Sequence, residues 1–472
     1  MSSLTQSFLK AFKFEPTACQ TALFEAFERF AASEESDIMI VNGYAGTGKT
    51  SAVSAIVSTL VSMRVKTVLL APTGRSAKVF SAISGRPAYT VHKHIYKQKG
   101  VGENGYGQFS MAPNKGKGVW YFVDEVSLIG IGSERSVADF GSGNLLDDLV
   151  QFVRSGVGCR LVLIGDSAQL PPIGLEASPA LYPDYMSRYG NVCSCTLSTV
   201  VRQALESGIL RCATMLRERI ETMMPDSGVD DLKMTASADM ERVSGAELLE
   251  KLEDAYSRYG EDEVIVLTRT NKRAIRYNLG IRSKIQFKEE RLVRGERLMI
   301  VRNCYQFLED VKELEYIANG DIAVLERIGK YEDRYGLHFA EARLSFPDYD
   351  DVTIDAKVLL DTLDSDSPSL SYEQQEALYR GVSEDYSHIR GKKARYDAVR
   401  EDPFYNALQL KYADAITCHK SQGGQWKCVF IDCPFWMDEQ SLDDLKWLYT
   451  ALTRSREQVY LVNFPDRFFT GL

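Results

Sequence analysis

The sequence predicts an α/β protein with two parallel-sheet domains in tandem, the second of which carries an insertion. Short apolar runs in the first 200 residues each end in a polar or small residue, which is typical of buried parallel strands with functional groups at their carboxyl ends. A second series of such runs begins near residue 196 and resumes after residue 404. The intervening residues, 286–404, contain alternating strand-like runs and then a charged helical pattern, which indicates a small inserted β module with a helical arm.

Composition is that of an ordinary soluble protein. The chain has 472 residues, of which 44% are hydrophobic and 26% charged, enough for several domains with their own cores. No window reaches the roughly eighteen uninterrupted apolar residues that a bilayer-spanning helix requires. The nine cysteines include no C-x-x-C pair and are expected to be free thiols. We therefore expect a cytoplasmic protein, or one in the host cytoplasm if the source is viral, with no membrane partner.

Charge is distributed unevenly along the chain. The formal net charge of −9 would ordinarily argue against a nucleic-acid partner. Residues 1–200, however, carry 18 basic and 16 acidic side chains, whereas the remainder carries 38 and 49. Residues 75–117 hold eight basic side chains against one acidic residue. A basic strip thus lies within an acidic protein, and nucleic acid is not excluded.

The stretch "GYAGTGKT" at residues 43–50 fits the spacing G-x-x-x-x-G-K-[ST] between a strand-like run and a helical pattern. Its glycines let backbone N–H groups point inward at phosphate, next to the positive end of the following helix. Lys49 is expected to neutralise the β and γ phosphates, and Thr50 to bind Mg²⁺. The residues predicted to bind Mg-ATP in this loop are Gly43, Gly46, Thr47, Gly48, Lys49 and Thr50.

Polar residues end two later strand-like runs. "VWYFVDE" ends in Asp124 and Glu125, and adjacent carboxylates at the end of a buried strand are costly unless they bind something. We expect Asp124 to bind Mg²⁺ and Glu125 to orient and deprotonate the attacking water. Gln169 in "LIGDSAQLPPIG" is placed to sense the γ-phosphate. The chain is therefore predicted to hydrolyse ATP rather than only to bind it.

Eight short stretches follow one another in a fixed order along the chain: "GYAGTGKT", "APTGRSAK", "TVHKHIY", "FVDEVS", "GDSAQLPP", "VVRQ", "HKSQGGQW" and "YTALTRSRE". Taken in this order, they resemble the motifs of superfamily 1 helicases. Their wording resembles the RecD-like and phage Dda-like branch, superfamily 1B, and the resemblance runs from about residue 14 to 465. It implies two RecA-like domains and an ATP-dependent DNA helicase moving 5′ to 3′ on single-stranded DNA, a polarity that rests on the resemblance alone.

The resemblance assigns further residues to the nucleotide. Arg202 and Arg454 match arginines that reach across the cleft and stabilise charge on the transferred phosphate, although arginines on helices are more often solvated ion-pair partners. Gln20 matches a glutamine that reads adenine, and an exposed helix glutamine is an equally ordinary interpretation. Gln422 and Gly423 match positions near the nucleotide that couple it to DNA.

A second group of residues matches positions that contact the DNA backbone. A structural role in a turn is an equally good interpretation for the histidines considered without the family. The residues predicted to bind DNA are Thr73, His92, Lys93, Thr417, His419, Lys420 and Ser421. Phe109 is a candidate for the residue at the tip of a strand-separating hairpin, with local packing as the alternative.

The resemblance also implies a domain division. We expect a first RecA-like domain over 1–195 with a hairpin insertion at about 93–118, a second over 196–285 and 405–472, and an inserted domain over 286–404. The inserted domain is expected to have an SH3-like core and an acidic arm, since residues 341–402 carry 15 acidic and 8 basic side chains. The expected partners of a monomeric chain are single-stranded and forked duplex DNA, with a single-strand-binding, replication or recombination protein as a further one.

Two other functions fit the same motifs. The first is a P-loop ATPase switch that does not act on nucleic acid, which the net charge of −9 favours. The second is an accessory ATPase subunit of a recombination or replication complex, in which the acidic arm binds a partner protein. Strong stimulation of ATP hydrolysis by single-stranded DNA would exclude the first.

Overall fold

A computed structural model describes residues 3–101, 107–132, 139–201, 207–223, 232–304, 306–308, 311, 317–434 and 439–469. Its β structure consists of two parallel sheets, a closed barrel and a small three-stranded sheet. We call the two parallel-sheet units the first and second lobes. No helix in the described ranges is long and apolar enough to cross a membrane.

The first lobe is built on six parallel strands in the order β3-β2-β6-β8-β1-β9. Its elements are α1 (Leu4–Ala11), α2 (Ala18–Ala32), β1 (Ile38–Gly43), α3 (Lys49–Ser62), β2 (Thr67–Ala71), α4 (Gly74–Ser84), β3 (Ala88–Thr90), α5 (Val91–Ile95), β4 (Tyr96–Val101), β5 (Gly107–Met111), β6 (Trp120–Val123), β7 (Asp139–Phe140), α6 (Leu145–Ser155), β8 (Arg160–Gly165), α7 (Pro183–Met186) and β9 (Val192–Leu197). Side chains alternate between the two faces of the sheet, so one face packs on α2 and α3 and the other on α6.

A hairpin projects from this lobe within the predicted insertion. β4 and β5 pair antiparallel, and β7 adds a parallel strand to β5. Phe109 pairs with Gln98 inside β5, and its side chain is buried in the core of the lobe. The interpretation of Phe109 as a hairpin-tip residue is therefore wrong, because packing holds the ring. The turn itself, 102–106, lies outside the described residues.

The second lobe and the barrel share the rest of the chain. In chain order the elements are α8 (Gly208–Thr222), β10 (Met240–Val243), α9 (Leu248–Tyr259), β11 (Val264–Thr268), α10 (Asn271–Lys284), β12 (Arg297–Ile300), β13 (Ile322–Arg334), β14 (Leu337–Phe346), β15 (Val352–Leu359), α11 (Tyr372–Asp385), α12 (Lys392–Glu401), β16 (Leu408–Tyr412), β17 (Ala415–Thr417), α13 (Cys418–Ser421), β18 (Trp426–Asp432), α14 (Leu442–Leu452) and β19 (Ser455–Val462). The sheet of the second lobe is parallel, in the order β10-β19-β18-β11-β17. One face packs on α8 and α14, and the other on α9 and α10.

The barrel is closed by β12 to β16 and carries α11 and α12 as an arm. Its last strand, β16, pairs antiparallel with β12 and parallel with β15, so it lies beyond the boundary expected at residue 404. All five residues of β16 are buried, a pattern that suits a barrel strand as well as a sheet strand. Two parallel-sheet lobes, a hairpin, and a barrel with a helical arm confirm the predicted fold class.

Candidate functional site

The glycine-rich loop joins the end of β1 to the start of α3. Gly46 and Gly48 have φ angles of 72° and 70°, a left-handed conformation that favours glycine. A Cβ atom on Gly43 would lie 2.9 Å from Cδ of Lys49, so the chain turns too tightly there for a larger residue. Lys49 Nζ donates a hydrogen bond to the Gly43 carbonyl at 3.0 Å. The loop thus curls around its own lysine at a helix N-terminus, an arrangement that favours phosphate.

Two side chains hold the loop in this shape. Thr47 is fully buried, and its hydroxyl donates to the Tyr44 carbonyl at 2.7 Å. Gln20 is 1% exposed; its Nε2 donates to the Thr47 carbonyl at 2.9 Å, and its Oε1 accepts from the N–H of Thr17 at 2.9 Å. Both ends of the Gln20 amide are therefore bonded within the protein in this conformation, and adenine recognition by Gln20 stays a prediction. Thr50 lies half-buried in the first turn of α3.

Asp124 and Glu125 follow β6. Asp124 Oδ1 accepts a hydrogen bond from the N–H of Glu125 at 2.9 Å. Burial, reinforced by the neighbouring Glu125 carboxylate and opposed by the Lys49 ammonium, raises the pKa of Asp124 to about 6. Glu125 has a φ of 54°, which costs of order 1–3 kcal/mol for a residue with a Cβ and is a feature that clusters at functional sites. Its Oε2 atom is buried and has no hydrogen-bond partner among the described residues.

Asp166 and Gln169 follow the neighbouring strand β8. Asp166 accepts from the N–H of Ala168 at 3.0 Å and from the Tyr449 hydroxyl at 2.7 Å. Burial raises the pKa of Asp166, and the charge of Lys49 opposes that rise. Gln169 Oε1, like Glu125 Oε2, is buried without a hydrogen-bond partner in the described part of the chain. β6 and β8 therefore present free acceptor atoms at the same edge of the sheet, beside a lysine. This donor set fits a hydrated divalent cation and a phosphate-bound water.

Helix α14 of the second lobe contacts this edge directly. The Tyr449 hydroxyl accepts a hydrogen bond from the N–H of Ala45 in the glycine-rich loop at 2.9 Å. The Leu170 N–H donates to Thr450 Oγ1 at 2.8 Å, and the Leu170 carbonyl accepts from Gln422 Nε2 at 2.8 Å. The second lobe thus holds the turn after β8 through both the N–H and the carbonyl of Leu170. Sequence reasoning singled out Gln422 but missed Tyr449 and Thr450, which lie in the quoted stretch "YTALTRSRE".

Arg454 is the predicted cleft arginine that the structure describes. It is 3% exposed, and its guanidinium donates to the Thr450 carbonyl at 3.0 Å, to Thr453 Oγ1 at 3.1 Å and to the Gly424 carbonyl at 3.4 Å. All three acceptors belong to the second lobe, so contact with a phosphate requires Arg454 to exchange some of them. Arg202 lies outside the described residues.

A different arginine lies against the loop. Arg217 on α8 is 8% exposed, donates to the Ser198 carbonyl at 2.9 Å, and places its guanidinium 4.9 Å from the centre of the Tyr44 ring. Its Nε atom is buried without a hydrogen-bond partner in the described residues. Arg217 was not singled out from the sequence, because a lone arginine in a helical pattern carries no motif.

Thr73, which is predicted to bind DNA and immediately precedes α4, lies at a junction between the lobes. Thr73 caps α4 by accepting from the N–H of Ser76 at 3.1 Å. A Cβ on Gly423, whose φ is 78°, would lie 2.0 Å from Ser76 Oγ and 3.2 Å from Thr73 Oγ1. The structure thus brings Thr73 of the first lobe against Gly423 of the second, although the sequence placed these two residues in separate sites.

Two cations of the basic strip contribute to the same junction. The Arg75 guanidinium lies 4.0 Å from the centre of the Trp426 ring. Lys78 Nζ donates to the Pro347 carbonyl in the barrel. A Cβ on Gly74 would lie 2.2 Å from the Tyr349 hydroxyl, so α4 also approaches the barrel closely. Part of the strip therefore stabilises contacts between domains.

His92 and Lys93 lie on α5. The N–H of Lys93 donates to Thr90 Oγ1 at 3.2 Å, which caps the helix. The His92 ring lies 5.7 Å from that of Tyr96, and burial lowers the pKa of His92 to about 4. His92 is therefore neutral at pH 7 and offers a hydrogen bond rather than a charge.

The remaining predicted residues surround α13. Thr417 precedes the helix, and Lys420 Nζ donates to Asn319 Oδ1 of the barrel at 2.7 Å. His419 is half-buried, and burial lowers its pKa. Ser421 is fully buried, and its hydroxyl donates to the Cys418 carbonyl at 2.7 Å. In this conformation Ser421 stabilises the turn and has no surface exposed to DNA.

Comparisons with known families match both lobes. Residues 20–231 match the AAA domain, and residues 412–462 match the UvrD-like helicase C-terminal domain. The chain is 28% identical over 186 residues to the ATP-dependent RecD2 DNA helicase of Deinococcus radiodurans, an alignment that covers 37% of this chain and 21% of that protein. It is 24% identical over 462 residues to the ATP-dependent DNA helicase dda of Enterobacteria phage T4, covering 92% of this chain and 96% of that one.

Solved structures that resemble the chain include two Pif1 helicases. A Pif1 helicase from Bacteroides, in complex with ADP-AlF3 and single-stranded DNA, is 14% identical with a TM-score of 0.48 and covers 98% of this chain and 95% of its own. The Pif1 helicase of Candida albicans is 14% identical with a TM-score of 0.43 and covers 97% of each chain. The glycine-rich loop, the carboxylates at the strand ends, and the matches to the AAA domain and to the UvrD-like helicase C-terminal domain support an ATP-hydrolysing DNA helicase and confirm the resemblance to the RecD-like and Dda-like helicases of superfamily 1B.

Proposed function

We propose that the chain uses hydrolysis of Mg-ATP between its two lobes to move 5′ to 3′ along single-stranded DNA and to separate duplex strands. The observation that carries the proposal is the set of hydrogen bonds by which α14 and Gln422 hold both the glycine-rich loop and the turn after β8. A nucleotide in the first lobe therefore lies next to residues of the second. Relative motion of the lobes can follow the state of the phosphates.

Each residue at the sheet edge has a role in hydrolysis. Lys49 leaves the Gly43 carbonyl and neutralises the β and γ phosphates. Glu125 accepts a proton from the attacking water through Oε2, an atom with no hydrogen-bond partner among the residues that the structure describes. Gln169 Oε1, which accepts no hydrogen bond from the described part of the chain, accepts one from that water or from another water bound to the phosphate. Magnesium supplies charge neutralisation on the phosphate oxygens when bound, and Thr50 and Asp124 are the residues that would hold it.

Arginines of the second lobe supply the positive charge that faces the phosphates from that side of the cleft. Arg454 stabilises the transferred phosphate after exchanging a carbonyl contact, and Arg202 acts with it, as the resemblance implies. Arg217 already lies beside the loop, next to the Tyr44 ring. Closure of the cleft costs little desolvation of Arg217 because its side chain is buried beforehand.

Coupling between the nucleotide and DNA follows from a series of contacts that connects Gln422 to Thr73. Gln422 bonds to the turn after β8, and the next residue, Gly423, lies against Thr73 and Ser76. A shift of the turn on phosphate release therefore moves the contact at which the first lobe meets the second. We propose that DNA runs past this junction, with His92 and Lys93 on one lobe and Thr417, His419 and Lys420 on the other.

The domain division is part of the proposal. Residues 1–195 form the first RecA-like domain, 196–285 and 413–472 the second, and 286–412 the inserted SH3-like domain, because β16 (Leu408–Tyr412) closes the barrel and is not a strand of the second parallel sheet. The chain acts as a monomer in the cytoplasm, or in the cytoplasm of the host cell if the source is viral. Sequence-independent contacts with the DNA backbone and bases suit this activity.

Unwinding of a forked duplex tests the proposal. The substrates carry one single-stranded tail, either 5′ or 3′, and strand separation is followed with ATP, without ATP, and with Glu125→Gln protein. Separation of the 5′-tailed substrate alone supports the proposed polarity. Unwinding of the 3′-tailed substrate alone would reverse it, and ATP hydrolysis without any unwinding would favour the nucleotide-switch alternative.

A further inference from the structure

A groove lies between α9 and α10 on the outer face of the second lobe. Its floor and walls are apolar: Leu248, Leu249 and Leu252 from α9 face Gly280 and Ile281 from α10. Leu249 is 44% exposed, which leaves an apolar side chain at the rim. This face of the sheet is opposite to the one that packs on α8 and α14. A ligand in the groove would therefore not compete with a nucleotide in the cleft.

The two helices that line the groove carry a net positive charge. Helix α9 has two basic and three acidic residues, whereas α10 has five basic residues and no acidic residue, although the second half of the chain is acidic overall. Arg273 at the groove pairs with Asp432, to which the Tyr277 hydroxyl also donates at 2.7 Å. Arg276, also at the groove, is exposed and makes no hydrogen bond or ion pair with the described part of the chain. Its charge is thus available to a ligand.

The size of the groove indicates what kind of ligand fits. Its volume is about 270 Å³. Sites for drug-sized molecules span roughly 300–1,000 Å³ and are usually enclosed, so this groove is sized for one or two apolar side chains of a longer ligand. Apolar anchors lying in a groove between helices are a recurring mode of peptide recognition.

We propose that the α9–α10 groove binds an acidic peptide segment of a partner protein, with leucine or phenylalanine anchors on the apolar floor and carboxylates beside Arg276. The apolar contacts supply most of the affinity, and the arginine selects an acidic sequence and accelerates its association. The proposal is independent of the activity in the cleft. It places a partner-binding surface on the back of the second lobe, at a position distinct from the acidic arm.

Gly280 allows the groove to be filled without disturbing the fold. It lies in α10, and a Cβ there would meet no atom within 4 Å. Gly280→Leu therefore adds a side chain to the groove and raises helix propensity by removing a helical glycine. Arg276→Glu reverses the charge at the rim and leaves the floor unchanged. Arg29→Glu, on an exposed position of α2 in the other lobe, is the matched control for the charge change.

The test is fluorescence anisotropy with the full chain and a synthetic fluorescein-labelled peptide that combines two leucines with four aspartates. A second peptide replaces the aspartates with lysines. We expect the acidic peptide to bind wild-type and Arg29→Glu protein equally, and Gly280→Leu and Arg276→Glu at least tenfold more weakly. The lysine peptide should bind no variant. Steady-state ATP hydrolysis, measured in parallel, should be the same in all four proteins and shows that they are folded.

Three results would overturn the proposal. One is absence of binding of the acidic peptide to the wild type, and another is equal binding to the wild type and Gly280→Leu. The third is weaker binding of a single-stranded oligonucleotide to Arg276→Glu than to Arg29→Glu without any effect on the peptide, which would assign the arginine to DNA. If the wild-type protein showed no helicase activity, binding of the acidic peptide would be unaffected. The two proposals can therefore fail independently of each other.

Discussion

The hydroxyl of Tyr449 in the second lobe donates a hydrogen bond to Asp166 of the first lobe at 2.7 Å. The same oxygen accepts from the N–H of Ala45 in the glycine-rich loop at 2.9 Å. Tyr449 is 1% exposed, so water does not replace either partner when the lobes are closed. One buried hydroxyl therefore joins the phosphate-binding loop, the turn after β8 and α14.

Tyr449→Phe should weaken the coupling between nucleotide and DNA. The change keeps the ring but removes the donor to Asp166 Oδ2 and the acceptor of the Ala45 N–H, at a cost of about 1–3 kcal/mol for a buried group, while Asp166 Oδ1 keeps its bond from the N–H of Ala168. We expect a lower unfolding midpoint in urea and a several-fold smaller stimulation of ATP hydrolysis by single-stranded DNA, with the KM for ATP in the absence of DNA little changed. Tyr372→Phe, at a tyrosine that is 83% exposed, is the control. Unaltered stimulation in Tyr449→Phe would show that the hydroxyl is only structural.

Glu125→Gln should bind ATP with Mg²⁺ and hydrolyse it slowly. The amide keeps the shape of the side chain but cannot accept a proton from water, and loss of a general base typically costs 10²–10⁴-fold in rate. Nucleotide affinity by equilibrium binding and turnover in single-cycle kinetics separate the two effects. If turnover is unaffected, Glu125 is not the base.

Removing the charges of Lys93, Lys97 and Lys99 should reduce the salt dependence of DNA binding. Each phosphate contact contributes a slope of about 0.7 in log affinity against log salt for single strands, so loss of three contacts should lower the slope by about 2. Binding of a fluorescent oligonucleotide at several salt concentrations measures it. An identical slope in the triple variant would place the DNA on another surface.

Asp321→Asn should make the free energy of unfolding less dependent on pH. Burial, with a smaller contribution from Asp348, raises the pKa of Asp321 to about 7, against about 3.9 in an unfolded chain. Between these values the folded state binds a proton that the unfolded state lacks, so the contribution of this group to stability falls as pH rises from 4 to 7. The variant should therefore be more stable relative to the wild type at pH 8 than at pH 5. Urea unfolding at both pH values measures the difference in free energy of unfolding between the variant and the wild type. The same difference at pH 5 and pH 8 would contradict the raised pKa of Asp321.

The nucleotide loop and the strand-end carboxylates were predictable from local patterns. A fixed spacing of glycines, lysine and threonine specifies the turn between β1 and α3, and the carboxyl ends of parallel strands meet at one edge. Asp124 and Asp166 could be assigned to that edge because each directly follows an apolar run. No knowledge of the tertiary contacts was needed.

The contacts between the lobes could not be predicted in this way. Tyr449 and Ala45 are separated by 404 positions, and nothing in the helical pattern around Tyr449 distinguishes its hydroxyl from an exposed one. The buried run of β16 fits a sheet or a barrel equally well, so its place in the barrel depended on pairing with β12. The basic strip was visible as charge, but the contact of Arg75 with Trp426 was not.

The most direct test of the account is the steady-state rate of ATP hydrolysis at low salt, with and without a single-stranded oligonucleotide, with Lys49→Ala as the blank. The account predicts strong stimulation by DNA in the wild type. It also predicts no hydrolysis but retained oligonucleotide binding in Lys49→Ala, because the proposed DNA contacts lie elsewhere. A wild-type rate that the oligonucleotide does not change, or normal turnover by Lys49→Ala, would contradict it.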